Sequence, residues 1–271
     1  MLCLIVALPA EARPLAGHYK LRDKSASGPF SVFRNDTMAL AVSGIGKLAA
    51  AAATAYLHGR LHRDGPAAWL NIGIAGHASR TLGDGVIAHR ITDHASGQNW
   101  YPPQVLGLDL ATDNLLTVDS PQLDYRDDLM YDMEASGFYQ TACRCTTAEL
   151  VQCFKVISDN RDQPATAVTA NDCADLISSC LDRIDRVVDT LQSCAQQLAA
   201  AHAPSPELEQ LTRHWHFTAS QTHRLTELVR RWKTLAPDQP VWCSELKSQQ
   251  RAGEVLLWME QRLHTLPVKL C

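Results

Sequence analysis

Four short stretches of this 271-residue chain put titratable, polar or glycine residues directly beside apolar runs. They are Glu11 in "LPAEAR", Gly73 to Gly76 in "NIGIAG", Met133 and Glu134 in "YDMEASGFY", and Ser158 and Asp159 in "KVISDN". Carboxylates so placed can move protons or steady a developing positive charge. Three of the stretches also have a purely structural explanation. Glu11 would complement a helix dipole from a first turn, Asp159 would cap a turn, and Gly73 and Gly76 would permit a tight strand exit. Glu134 resists that treatment, because a carboxylate on an apolar helix face costs free energy unless it is paired or hydrogen-bonded.

The pattern around these residues describes the scaffold that must position them. "LCLIVAL" (2–8) is a continuous apolar run, which suits a strand buried on both faces. Residues 29–44 read as two extended runs joined at Asn35 and Asp36. The alanine-rich run 47–61 predicts a helix, 67–76 a second buried strand, 83–95 a β-like run, 96–107 a loop, and 114–121 a short strand stopped by Pro121. A helix is expected over 128–143 and a strand over 150–160. This alternation predicts an α/β fold, a three-layer sandwich around a mixed, mainly parallel twisted sheet. Ligands of open α/β sheets bind beyond the carboxyl ends of the strands, which is where the four stretches fall.

From Asn171 the texture becomes helical. Leu176, Ile177, Cys180, Leu181, Ile184, Val187, Val188 and Leu191 recur at helical spacing, with Asn171 or Asp172 as the expected cap. Residues 201–207 read as a linker. Beyond it Leu225, Leu228, Val229, Trp232 and Leu235, then Val255, Leu256, Met259, Leu263 and Leu266, describe amphipathic helices. Two domains are expected, an α/β domain over 1–203 and an α-helical C-terminal extension over 204–271 that packs on it or on a partner subunit. Trp215, Phe217 and Trp232 stand among basic residues, a combination that can stack on single-stranded nucleic acid. Acidic residues nearly balance the basic ones there and Trp232 falls on an apolar helix face, so packing is expected and a nucleic-acid partner is not.

A hydrophobic content of 46% with 20% charged residues and a net charge of -4 excludes a disordered or fibrous chain and demands neither a polyanion nor a membrane. Leu2 to Leu8 is too short for a membrane span, and no basic segment precedes it as in a signal peptide. Nine cysteines, an odd number without a secretory signal, predict reduced thiols in a cytoplasmic protein. Cys143 and Cys145 lie too close for a zinc knuckle, so neither a metal nor a cofactor is expected.

As an ordered set, "ALPAEARPL", "SGIGKLAAAAA", "NIGIAG", "DMEASGF" and "VISDN" resemble the 5'-methylthioadenosine/S-adenosylhomocysteine nucleosidase branch of the nucleoside phosphorylase superfamily. The resemblance runs from Met1 to about Asp162, with a closing helix to about residue 200. It implies an enzyme that hydrolyses the N-glycosidic bond of an adenine nucleoside, with a small-molecule substrate and a homo-oligomeric, preferentially dimeric, state. It also implies roles. Glu11 corresponds to the carboxylate that activates the attacking water, Asp159 to the acid that protonates the purine at its five-membered ring, and Met133 and Glu134 to the ribose contacts. Ile74, Gly76 and Ser158 join the substrate-binding set, and Lys155 stands where these enzymes often carry an arginine near the water.

Cleavage of an N-glycosidic bond passes through an oxocarbenium-like state, which needs a protonated leaving base, a negative field and a nucleophile on the opposite face. A neutral Asp159, an anionic Glu134 and a basic Glu11 would supply them, and burial is expected to keep the acid protonated. An aspartate that donates to a ring nitrogen and accepts from an exocyclic amine favours a 6-aminopurine. Ile74 stands where these nucleosidases commonly have a serine, and Pro121 lies in the loop that offers them backbone donors, so both contacts are expected to differ. Two alternatives remain. One is a phosphorylase, with Arg13, His77, Arg80 and Lys155 as its anion site, and the other is a catalytically inactive nucleoside-binding sensor.

Overall fold

The computed structural model describes residues 1–23, 28–61, 65–202 and 205–265. Leu266 and the expected domain boundary at 203/204 lie outside these described residues. The described chain divides into two compact units, Met1–Ala201 and His202–Cys271.

The first unit is built on a sheet of β1 (Leu2–Val6), β2 (Arg22–Asp23), β3 (Ser31–Arg34), β4 (Met38–Val42), β5 (Ala68–His77), β6 (Gly85–Asp93), β7 (Asn99–Trp100), β8 (Ala111–Thr117), β9 (Met130–Asp132) and β10 (Val151–Asp159). Its helices are α1 (Pro9–His18), α2 (Lys47–Arg60), α3 (Ala135–Ala142), α4 (Ala170–Ser179) and α5 (Leu181–His202). β1 pairs in parallel with β4 and β5, and β5 in parallel with β10. β2, β3 and β4 continue one edge as antiparallel neighbours. On the other side β5, β10, β6, β8 and β9 pair in sequence, and β9 returns to the end of β5, so these five strands close a ring.

Both faces of the sheet are apolar, as the unbroken run 2–8 predicts. Along β1, Cys3 and Ile5 join α2 and α3 residues such as Ala50, Leu57 and Phe138 in one core, while Leu2, Leu4 and Val6 join Leu15 of α1 and Ile184, Val187 and Leu191 of α5 in another. The period of two sorts neighbouring residues to opposite layers. The result is the expected sandwich of helices, sheet and helices.

Four local expectations need correction. The helix read over 128–143 is β9 followed by the shorter α3, because Met130 and Tyr131 find strand partners on both β5 and β8. β8 begins three residues early, at Ala111, where parallel pairing with β6 holds residues that carry no strand pattern of their own. Asn99–Trp100 in the expected loop pairs with β6. The helix read from Asn171 is two helices with a break at Cys180, and its cap is Thr169, whose hydroxyl accepts from the Asp172 N–H while Asp172 accepts from the Thr169 N–H at 2.8 Å.

The second unit contains α6 (Pro206–His214), α7 (Ala219–Leu235), α8 (Ser244–Lys247) and α9 (Ala252–Thr265) around its own core of Leu225, Leu228, Val229, Trp232, Val255 and Met259. The indoles of Trp215 and Trp232 are buried and donate to the carbonyls of Gln249 and Gln239, each at 3.0 Å. They serve packing, as the apolar spacing indicated. Among the described residues no helix is long and apolar enough to cross a membrane.

Candidate active site

β1 stops at Val6 and α1 starts at Pro9, so Glu11 lies in the first helical turn. Its carboxylate turns back on the chain. One oxygen accepts from the N–H groups of Ala7 and Leu8, each at 2.9 Å, and the other accepts from the Ile74 N–H at 3.0 Å. Burial raises its proton affinity, and the bonds from Ile74, Leu8 and Ala7 together with the charge of Lys155 offset only part of that rise. Gly73 packs closely beside it, since a Cβ there would lie 3.0 Å from Glu11 Oε1 and 3.5 Å from Lys155 Nζ.

Lys155 is fully buried in β10, and its ammonium pairs with Asp132 Oδ2 at 2.8 Å. Burial alone would drive the proton off, but the charges of Asp132 and Glu134 outweigh it and hold the ammonium above its usual range. Asp132, which the sequence reading passed over, also accepts from the Thr117 hydroxyl and the Ala135 N–H, both at 2.8 Å. It anchors the start of α3.

Glu134 does not stand on a helix face. It is the N-cap residue of α3, just past β9, and its carboxylate reaches across to α2 to accept from the Gly46 N–H at 2.8 Å. Gly46, the N-cap of α2, has φ +104°, a conformation open to glycine. Burial, reinforced by the nearby charge of Asp132, raises the Glu134 carboxyl to about 7, with Lys155 and the Gly46 N–H opposing. Met133 precedes it at the cleft wall.

Asp159 is the last residue of β10. The Ser158 hydroxyl donates to its Oδ1 and the Tyr125 hydroxyl to its Oδ2, each at 2.5 Å. Gly76 of β5 lies against this group, and a Cβ there would approach Asp159 Oδ2 to 2.5 Å.

One cleft collects Glu11, Ile74, Gly76, Met133, Glu134, Ser158 and Asp159, together with Ile45, Pro121, Gln122 and Asp132. The closed strand ring produces this, because it folds β9 back beside the ends of β5 and β10. Lys155 is the expected site residue that the cleft wall does not include. The cations proposed as an anion site do not gather on the cleft either, although Arg80 and His77 share Asp113. Arg13 is exposed, Arg80 donates to Asp113 at 2.8 Å, His77 Nε2 faces the same aspartate at 3.3 Å, and Lys155 is on Asp132. Tyr125 and Asp132 are the residues of the site that sequence reading missed. Asp132 adjoins "ME" and could have been found as a strand-end carboxylate, whereas nothing near Tyr125 in sequence marks it.

No protein-family model matches the chain, and no curated protein does. Solved structures do. Arabidopsis thaliana 5'-methylthioadenosine nucleosidase in its apo form is similar at a TM-score of 0.60 with 16% identity, covering 70% of this chain and 95% of that one. The 5'-methylthioadenosine/S-adenosylhomocysteine nucleosidase of Neisseria meningitidis, in complex with methylthio-immucillin-A, gives 0.51 and 20%, covering 67% and 98%. The nucleosidase of Colwellia psychrerythraea, in complex with adenine, gives 0.54 and 21%, covering 72% and 95%.

Proposed function

Because the chain has the fold of the 5'-methylthioadenosine/S-adenosylhomocysteine nucleosidases, we propose that it hydrolyses the N-glycosidic bond of an adenine nucleoside to adenine and a ribose derivative. The observation that carries this reading is the convergence of Glu11, Glu134 and Asp159 on a cleft whose lining contains no Lys, Arg or His among the described residues. The substrates are nucleosides of the methylthioadenosine and S-adenosylhomocysteine type.

Glu11 is the base that takes a proton from water. Its raised proton affinity suits that work, and its three backbone bonds fix the carboxylate without neutralising it. Glu134 accepts hydrogen bonds from the ribose hydroxyls, with Met133 against the sugar. Those donors favour the carboxylate form, so substrate places a negative charge beside the sugar as positive charge develops on it. Asp159 gives its proton to the five-membered ring of the purine and accepts from the 6-amino group. The Lys155–Asp132 pair fixes the floor between Glu11 and Glu134.

Phosphorolysis fits less well. A phosphate dianion entering from the water side would face Glu11 and Glu134 with no cationic side chain on the wall. The test is adenine release by Asp159→Asn and Glu134→Gln. Each should lose about 100-fold or more in kcat with an unchanged circular dichroism spectrum. Full activity in both variants would refute the assignment.

A further inference from the structure

Tyr125 has no role in the chemistry described above, yet it is held from three sides. It is 1% exposed, its ring packs against Gly76 and beside Tyr131, and its hydroxyl accepts from the Ala165 N–H at 3.0 Å while donating to Asp159. The Arg161 guanidinium grips its carbonyl through Nε and Nη2 at 3.1 and 2.7 Å. Its backbone has φ +42°, a left-handed conformation that a bulky residue adopts only when its surroundings impose it. The constraint falls on a residue whose side chain touches Asp159.

We infer that Tyr125 is a positioning residue for the acid, oriented so that its phenol stabilises the carboxylate that Asp159 becomes as it gives its proton to the leaving base. This rests on the reading of Asp159 as that acid. During the step the proton passes from the Asp159 carboxyl to the ring nitrogen of the base, and the electron pair of the breaking C–N bond goes to the base. Tyr125 keeps its own proton throughout. A hydrogen bond to a carboxylate is stronger than one to a neutral carboxyl, so the phenol contributes most after the proton has moved. That is differential stabilisation of the transition state rather than of the bound substrate. Ser158 acts on the other oxygen in the same sense. Among the described residues the charged or titratable groups around the pair include Glu11, Asp132 and Glu134 on the same cleft, Cys173 from α4, Tyr131 from β9 and Arg161, whose guanidinium is committed to the Tyr125 carbonyl; β5 presents Gly76. Burial and the bond to Asp159 raise the Tyr125 phenol to about 12, which keeps it a donor at neutral pH.

The test is the pH profile of adenine release by Tyr125→Phe, with calorimetric binding of adenine over the same pH range. Without the donor the carboxylate formed as the proton leaves is less stabilised, so kcat at the pH optimum should fall about 10- to 100-fold and the limb on which activity falls with rising pH should move up by about one pH unit. KM should change less than about threefold. Replacing Tyr125 by 3-fluorotyrosine, a more acidic phenol of nearly the same shape, should move the limb to lower pH. Adenine binding should show the same displacement of its alkaline limb, independently of turnover. Unmoved limbs in both variants, or a loss of kcat without displacement, would overturn the inference. If the parent chain releases no base but the binding limb moves as stated, hydrolysis fails and the catalytic role of Tyr125 fails with it, leaving the Tyr125–Asp159 hydrogen bond as a determinant of adenine binding.

Discussion

Glu134 is a buried acid that holds its proton to about pH 7, and burial is the main reason. The sign of the consequence follows from linkage. Its folded-state value lies above the unfolded one, so the native state binds an extra proton between about pH 4.5 and 7, and stability falls progressively across that interval and is level above pH 7. Glu134→Gln should therefore be more stable than the parent above pH 7, by about 3 kcal/mol, with the difference vanishing towards pH 5. Urea denaturation at several pH values measures it. Catalysis runs the other way, because the ribose contact needs the carboxylate. In the parent chain kcat/KM should fall below pH 7, by roughly tenfold per pH unit. Equal stabilities at pH 8 would contradict the burial account. Glu11, Glu134 and Asp159 stood out in the sequence as carboxylates beside apolar stretches, although the helix expected around Glu134 was wrong. Asp132 offered the same signal beside "ME", but its buried ammonium partner lies on another strand, and Tyr125 offered none, since its partner is 34 residues away.

At the scale of elements, the decisive contact is between α2 and α3. The Cα of Gly137 lies so close to the Lys47 carbonyl that any Cβ would overlap it, and this approach is what brings the Gly46 N–H to Glu134. Gly137→Ala should push the two helices apart, destabilise the chain by about 1–3 kcal/mol and reduce base release more than tenfold. Wild-type stability and turnover would contradict it. The sequence announced α2 clearly, through alanine and the absence of breakers. It also announced β1, β5 and β10, whose apolar runs need no context to be read as buried strands. β9 was misread as helix because three residues cannot display a period, and their state is decided by strands on both sides. The closed ring of five strands was not legible at all, since strand pairing between distant segments leaves no local mark.

At the scale of the molecule, two units have separate cores, and every residue on the cleft wall belongs to the first. The fragment 1–201 should therefore fold alone with a cooperative thermal transition and release adenine. A fragment that binds a hydrophobic dye and melts without a transition would show that the second unit is needed for the fold. The change from strand alternation to helical spacing was readable at Asn171, inside the first unit, and the linker-like run 201–207 is what marked the expected boundary. The cleft is an active site only if its three carboxylates break a glycosidic bond with water. Chromatography of free adenine after incubating the full chain with 5'-methylthioadenosine in phosphate-free buffer tests this directly. Steady adenine release that added phosphate does not accelerate is expected; no adenine, or adenine only when phosphate is present, would contradict hydrolysis at this site.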